Sequence, residues 1–165
     1  MWYAILGAVL LAGDQILKYW VVTHLAVGES APFLPGFMQL TRLHNYGAAW
    51  SSFSGRTVLL VVFTAVLLAV VALLLLKKVV RHWTGVTACT LILSGGIGNI
   101  IDRIVHGYVV DMFDLQLFSY PVFNLADCCV VVGAILGGIY YLFLYDKYDK
   151  KKKEPDHAHD PSDPS

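Results

Sequence analysis

The chain has 165 residues, of which 57% are hydrophobic and 15% charged, and its 12 basic and 12 acidic residues cancel to a formal net charge of zero. A soluble domain carries about 25% charged residues, so this composition argues against a soluble domain and for a membrane protein. The balanced charge leaves no global basic field for nucleic acid.

A spanning helix needs about 20 mostly apolar residues, and four stretches qualify. The first runs from Trp2 to Val22. It has no basic leader, and Asp14 interrupts it before a small-residue cleavage site, so it reads as a retained helix. Asp14 and Lys18 lie four apart on one face. Ionisable groups inside a span are functional candidates by default. Two readings of this pair stay open: an ion pair that neutralises the helix, and a device that orients a substrate backbone. Residues 23–56 form a connection too long to be a simple linker. Within it Phe37 to Leu43 partly alternates as a strand does, and Asn45 follows in the run HNYGAAW.

The second span, Thr57 to Leu76, has no polar residue beyond its two threonines. The third, Trp83 to Ile101, ends in GGIGNIIDR. Gly95, Asn99 and Arg103 recur every four residues there, so a close-packing glycine and two polar groups share a face. Tyr108 to Leu117 is again strand-like and carries Asp111 and Asp114. The fourth span, Phe123 to Tyr145, opens with Asn124 and Asp127, three apart on one face. Taken alone, these two would simply cap the helix. Gly133 and Gly137 further along form a small-residue packing motif. Cys89, Cys128 and Cys129 sit in apolar stretches and imply no disulfide framework.

Lys77, Lys78 and Arg81 lie between spans two and three, and Lys147 and Lys150 to Lys153 follow span four. The positive-inside rule then places both termini in the cytoplasm and both longer connections outside. Tyr19, Trp20, Trp83, Tyr140, Tyr141 and Tyr145 mark the interfaces. The expected fold is all-α and integral to the membrane, with four helices and a small extracytoplasmic β platform. Residues 1–148 form the domain, and 149–165, rich in Pro, Asp and Ser, a disordered cytoplasmic tail. His157 and His159 in that tail make too weak a pair to hold a metal, and no metal or cofactor is expected.

In this topology Asp14, Lys18, Asn45, Asn99, Arg103, Asp111, Asn124 and Asp127 gather near one membrane surface. Two carboxylates sharing a proton can hydrolyse a peptide bond, the ionised one taking a proton from water and the protonated one giving a proton to the carbonyl oxygen. Asp111 and Asp127 are separated by a short hairpin-like segment that can bring them together. Asn99, Arg103 and Asn124 can hold the pair or the substrate backbone. No His-Glu-x-x-His helix and no zinc-like His/Cys cluster is present, and Ser94 has no evident histidine partner. A charge-relay transporter built on Asp14 and Lys18, and a non-catalytic scaffold, are the competing readings. The absence of an internal repeat and the clustering away from the midplane disfavour the transporter.

The run GGIGNIIDRIVHGYVVDMFD, followed by YPVFNLAD, closely resembles the signature of the lipoprotein signal peptidases, the bacterial type II signal peptidases. The resemblance extends to Asp14-Gln15 with Lys18 and to NYGAAW from Asn45, and covers about residues 5–145. It implies a four-span aspartic endopeptidase of the bacterial cell (inner) membrane that cleaves diacylglyceryl-modified prolipoproteins before the lipidated cysteine. By position it implies Asp111 and Asp127 as the catalytic pair. It also implies Asn45, Asn99, Arg103, Asn124 and Ala126 as residues that line or support the site, with Asp14 and Lys18 as the polar pair of the first helix. Inhibition by the cyclic peptide globomycin is implied as well, and contact with membrane lipid is expected. A monomer suffices, because the whole site lies in one chain. Met112, Ser51 and Ile97 depart from the residues usual in the family at their positions, without removing a polar site residue.

Overall fold

The computed structural model of the chain describes residues 2–47 and 55–150. The Ala48 to Ser51 part of the loop motif and the tail histidines lie outside these residues. Among the described residues four α-helices form: α1 (Trp2–His24), α2 (Thr57–Leu76), α3 (Trp83–His106) and α4 (Leu125–Ile139). After Ile139 the chain continues in wider π-type turns over Tyr140–Leu144 and Asp146–Lys150. With α4 counted through Leu144, four helices of 20–24 residues are long and apolar enough to cross a membrane. At 1.5 Å per residue each reaches about 30–36 Å, the thickness of the hydrocarbon core.

The helices do not share burial equally. In α3, 56% of the span is buried inside the molecule, against 17%, 11% and 17% for α1, α2 and α4. So α3 is the central post, and the other three pack on it and leave broad apolar faces exposed. Val58, Val62, Phe63 and Val66 of α2 are each more than half exposed. A continuous surface of this kind belongs in lipid rather than water. Glycine explains why α3 takes the centre. A Cβ on Gly95 would run into the Ala126 carbonyl oxygen, and one on Gly98 would lie 2.8 Å from an Asp14 carboxylate oxygen. Gly133 of α4 returns the contact, because a Cβ there would meet Ala88 O at 2.9 Å. Gly137 is looser, 3.8 Å from Ala88 Cβ, so the expected small-residue motif is tight only at its first position.

Three antiparallel strands sit at one end of the bundle in the order β1 (Ser30–Leu34), β2 (Met38–Asn45), β3 (Val109–Leu115). The β1–β2 turn is closed by Phe37 N–H to Leu34 O (3.0 Å), with Gly36 at φ +73°. Both strands expected from alternation are present, within two residues of the expected bounds, and β1 is an addition. The sheet packs on the end of α1 through a cluster of Val21, Leu25, Val110 and Met112. Arg42 of β2 donates to Val22 O (3.0 Å) and Leu25 O (2.9 Å), satisfying the last carbonyls of α1.

Two expectations at the opposite end need correction. Tyr140 is not an interfacial aromatic: it is 5% exposed, and its hydroxyl donates to Asp149 at 2.5 Å. Asp149, expected at the start of the tail, is buried and also accepts the N–H groups of Arg81 (3.0 Å) and His82 (3.1 Å). This ties the chain after α4 to the start of α3. Tyr19, Trp20, Trp83 and Tyr141 are exposed as interfacial residues should be.

The glycine seam carries a prediction. Replacing Gly95 with valine forces α3 and α4 apart and lowers stability in detergent by about 2–3 kcal/mol, read as a fall in thermal midpoint and in monodisperse yield. Gly138→Ala, where a Cβ meets nothing within 4 Å, leaves both unchanged.

Candidate active site

The backbone itself brings β3 to the head of α4. Phe123 accepts the N–H groups of Met112 (3.0 Å) and Phe113 (2.7 Å) and donates its own to Phe113 O (3.1 Å). Asp111 stands two residues before this bridge and Asn124 one residue after it, so the two side chains meet. Asn124 Nδ2 donates to Asp111 Oδ1 at 2.7 Å. Asn45, at the end of β2, donates to Asp111 Oδ2 at 2.9 Å, and its own amide oxygen is oriented by the Gly47 N–H (2.9 Å). Asp111 is 1% exposed. Burial first, and the charge of Asp127 second, push its carboxyl up to about 7, against the opposing pull of Asn45, Asn124 and Lys18.

Asn124 is also the N-cap of α4, in a reciprocal capping box with Asp127. Asp127 N–H donates to Asn124 Oδ1 at 2.8 Å, and Asp127 Oδ2 accepts the Asn124 N–H at 3.3 Å. One asparagine therefore touches both carboxylates. The remaining Asp127 oxygen accepts Asn99 Nδ2 of α3 at 2.8 Å. Asn99 is held in that orientation because its oxygen faces the Lys18 ammonium at 3.0 Å and Asn124 Nδ2 at 3.3 Å.

Lys18 is 3% exposed. It pairs with Asp14 at 2.8 Å and with Asp102 at 3.0 Å. Asp14 reaches across to α4, where its Oδ1 accepts the Ala126 N–H at 2.9 Å. Of the two readings of Asp14 and Lys18 the ion pair is present, widened by Asp102 into a triad, and its free edges hold the first turn of α4 and Asn99. Arg103 donates to Asn99 O (3.2 Å) and to Gly47 O (2.8 Å), tying α3 to the loop after β2.

A cavity of about 370 Å³ opens onto this network, with Asn45, Asn99, Arg103, Asp111 and Asp127 on its wall beside Tyr120 and Phe123. That volume lies within the range of ligand sites. Asp14 and Lys18 stand behind the wall. Asp114 is not part of it: its carboxylate accepts Gln39 Nε2 (2.7 Å) and Thr41 Oγ1 (3.1 Å) within the sheet. Ser94 is buried, with its hydroxyl on Leu91 O (3.0 Å).

All nine candidate residues meet in this one network. Two members were not nominated from the sequence. Asp102, 3% exposed, joins Lys18 to the Val110 N–H of β3 (3.0 Å). Gln15 donates to both Asp14 (3.2 Å) and Asp102 (3.1 Å). The available signal was that Asp102 lies three residues after Asn99 in a run already rich in polar groups.

Comparison with known proteins shows the family. Residues 6–143 match the family model described as signal peptidase (SPase) II. The chain is 40% identical over 151 residues to the lipoprotein signal peptidase of Enterococcus faecalis, covering 92% of this chain and 93% of that protein. It is 39% identical to that of Lactococcus lactis, over 85% of this chain and 91% of the relative. A solved structure titled as a bacterial membrane enzyme superposes with a TM-score of 0.80 at 31% identity, over 93% of both chains. Matched along nearly its whole length in sequence and fold alike, the chain belongs to the signal peptidase II family.

Proposed function

We propose that the chain removes the signal peptide from diacylglyceryl-modified prolipoproteins, cutting before the lipidated cysteine, with Asp111 and Asp127 as the catalytic pair. The observation that carries this reading is the bridge made by Asn124, which holds the buried Asp111 carboxylate and the half-buried Asp127 carboxylate against one cavity. Asp111, with its carboxyl pushed up to about 7, is the proton donor, and Asp127 is the base. Water attacks the scissile carbonyl carbon while Asp127 takes its proton. The carbonyl electron pair moves to oxygen, which takes the proton of Asp111. The gem-diol then collapses: the C–N bond breaks, the nitrogen leaves with the proton from Asp127, and a hydroxyl returns its proton to Asp111. The pair ends as it began.

Asn45, Asn99, Arg103 and Asn124 orient the pair and the substrate backbone. Ala126 joins α4 to Asp14. The burial of Lys18 among Asp14, Asp102 and Asn99 supports a positioning role for the first-helix pair over a charge relay. The basic residues Lys77, Lys78, Arg81, Lys147 and Lys150 lie at the end of the bundle away from the sheet. They support cytoplasmic termini and a site near the extracytoplasmic face of the cell (inner) membrane. Substrate and its lipid reach the cavity within the bilayer, a globomycin-like cyclic peptide competes for it, and one chain suffices as a monomer. The protease domain spans residues 1–148 and the cytoplasmic tail 149–165, with Asp149 at the boundary bonded back to Tyr140.

Asp111→Asn and Asp127→Asn each lower cleavage of a lipidated prolipoprotein by at least about 10³-fold while the protein stays folded, as read by gel shift and thermal midpoint. Wild-type cleavage by Asp127→Asn removes it from the chemistry. The pH profile is a second test. One proton must remain on the pair, so kcat/KM falls as pH rises through about 7. The bond from Asn45 favours the ionised form of Asp111, so Asn45→Ala moves this alkaline limb to higher pH. A profile flat to pH 9 rules out Asp111 as the proton donor.

A further inference from the structure

The cavity does not end at the carboxylates. It continues along α3 to Gly96 and along α4 to Val130 and Val131, and its third side is Thr64 of α2. α2 packs on α3 and forms no comparable interface with α4, so this arm of the cavity lies between α2 and α4 with α3 as its floor. Gly96 makes the floor low, and Leu68 closes the arm against it; a Cβ on Gly96 would lie 2.6 Å from Leu68 Cδ2. Thr64 is one turn from Leu68 towards the sheet end. α2 and α3 run in opposite directions, with Thr57 Oγ1 donating to Gly107 O at 3.1 Å at that end. The helical rise therefore sets Thr64 level with Asn99 and Ile100, across the cavity from the residue that holds Asp127.

α2 has two hydroxyl groups among 20 residues, and that of Thr57 is committed to Gly107. Two threonines of α3 turn their hydroxyls back on their own helix: Thr87 on Trp83 O (2.8 Å) and Thr90 on Val86 O (2.8 Å). Among the described residues the Thr64 hydroxyl makes no such bond, although it is half-buried on an apolar helix, where an unsatisfied donor is costly.

We infer that Thr64 is a substrate-positioning residue whose hydroxyl donates a hydrogen bond to a carbonyl oxygen of the bound substrate, opposite the catalytic pair. This rests on the prolipoprotein peptidase reading. The acceptor is either a peptide carbonyl next to the scissile bond or an ester carbonyl of the diacylglyceryl group, and both present the same chemistry at this depth.

The test uses full-length protein in detergent and two lipidated prolipoproteins, one with ester-linked and one with ether-linked chains. Thr64→Val keeps the shape and removes the donor; Thr64→Ser keeps the donor. On the ester substrate Thr64→Val raises KM about five- to tenfold with kcat and thermal midpoint unchanged, and Thr64→Ser restores KM. The same KM difference on the ether substrate assigns the bond to the peptide; its disappearance there assigns it to the lipid ester. Wild-type KM for Thr64→Val on the ester substrate, or a defect that Thr64→Ser does not restore, overturns the inference. If wild-type protein cleaves neither substrate, the peptidase reading falls and this inference with it.

Discussion

An ammonium group buried in the membrane-spanning part of a protein must be compensated on every side, because isolated charge transfer to low dielectric is prohibitive. Lys18 is that group, and its demand organises this molecule. Its partners come from α1 itself (Asp14) and from α3 (Asp102 and Asn99). Each partner then spends its remaining capacity elsewhere: Asp14 on the first turn of α4, Asp102 on β3, Asn99 on Asp127. Three helices and a strand are thereby located relative to one nitrogen atom. The carboxylates facing the cavity inherit their placement from this arrangement.

The sheet supplies what the bundle alone cannot. Helices can present Asn99 and Asp127 from two sides, but a second carboxylate at the right depth needs a segment that enters and leaves without spanning. β3 does so by pairing with β2 along one edge and with Phe123 at its far end. Hydrogen bonds along both edges leave Asp111 little freedom. The sheet itself is anchored, through Arg42 on the end of α1 and through Asp102 on the Val110 N–H. Preorganisation of this kind keeps two carboxyl groups, one charge between them, in one enclosed space without the loop relaxing away.

The spans were readable because hydrophobic length is a one-dimensional property, and the polar faces of α3 and α4 because spacing of three or four converts directly into a shared face. Asn124 and Asp127 taken alone read as a helix cap, and the fold makes them one while also setting Asn124 on Asp111 and Asp127 on the cavity wall. Asp102 was passed over because an acid at a helix end is ordinary; only the docking of β3 turns it into a buried acceptor. β1 was missed because Ser30–Leu34 contains Pro32, is nearly all exposed and shows no alternation, as an edge strand can. Tyr140 looked interfacial by its position in the span. Its burial depends on Asp149, nine residues on, in a segment whose composition pointed to disorder. In each case the missing information was a tertiary partner, which local pattern does not encode.

The reciprocal cap at the head of α4 couples two properties usually kept apart. Asp127 faces the cavity and also accepts the Asn124 N–H at the positive end of the α4 dipole. A proton placed on that carboxyl therefore weakens a charge-assisted bond and a dipole interaction, together about 0.3–1 kcal/mol. Proton inventory and helix-end integrity become a single variable. A compound that captures the pair in a doubly protonated form forgoes that stabilisation of the first turn of α4, which Asn124 and Asp14 still hold. One that leaves Asp127 charged keeps the helix end intact and has that energy available for affinity.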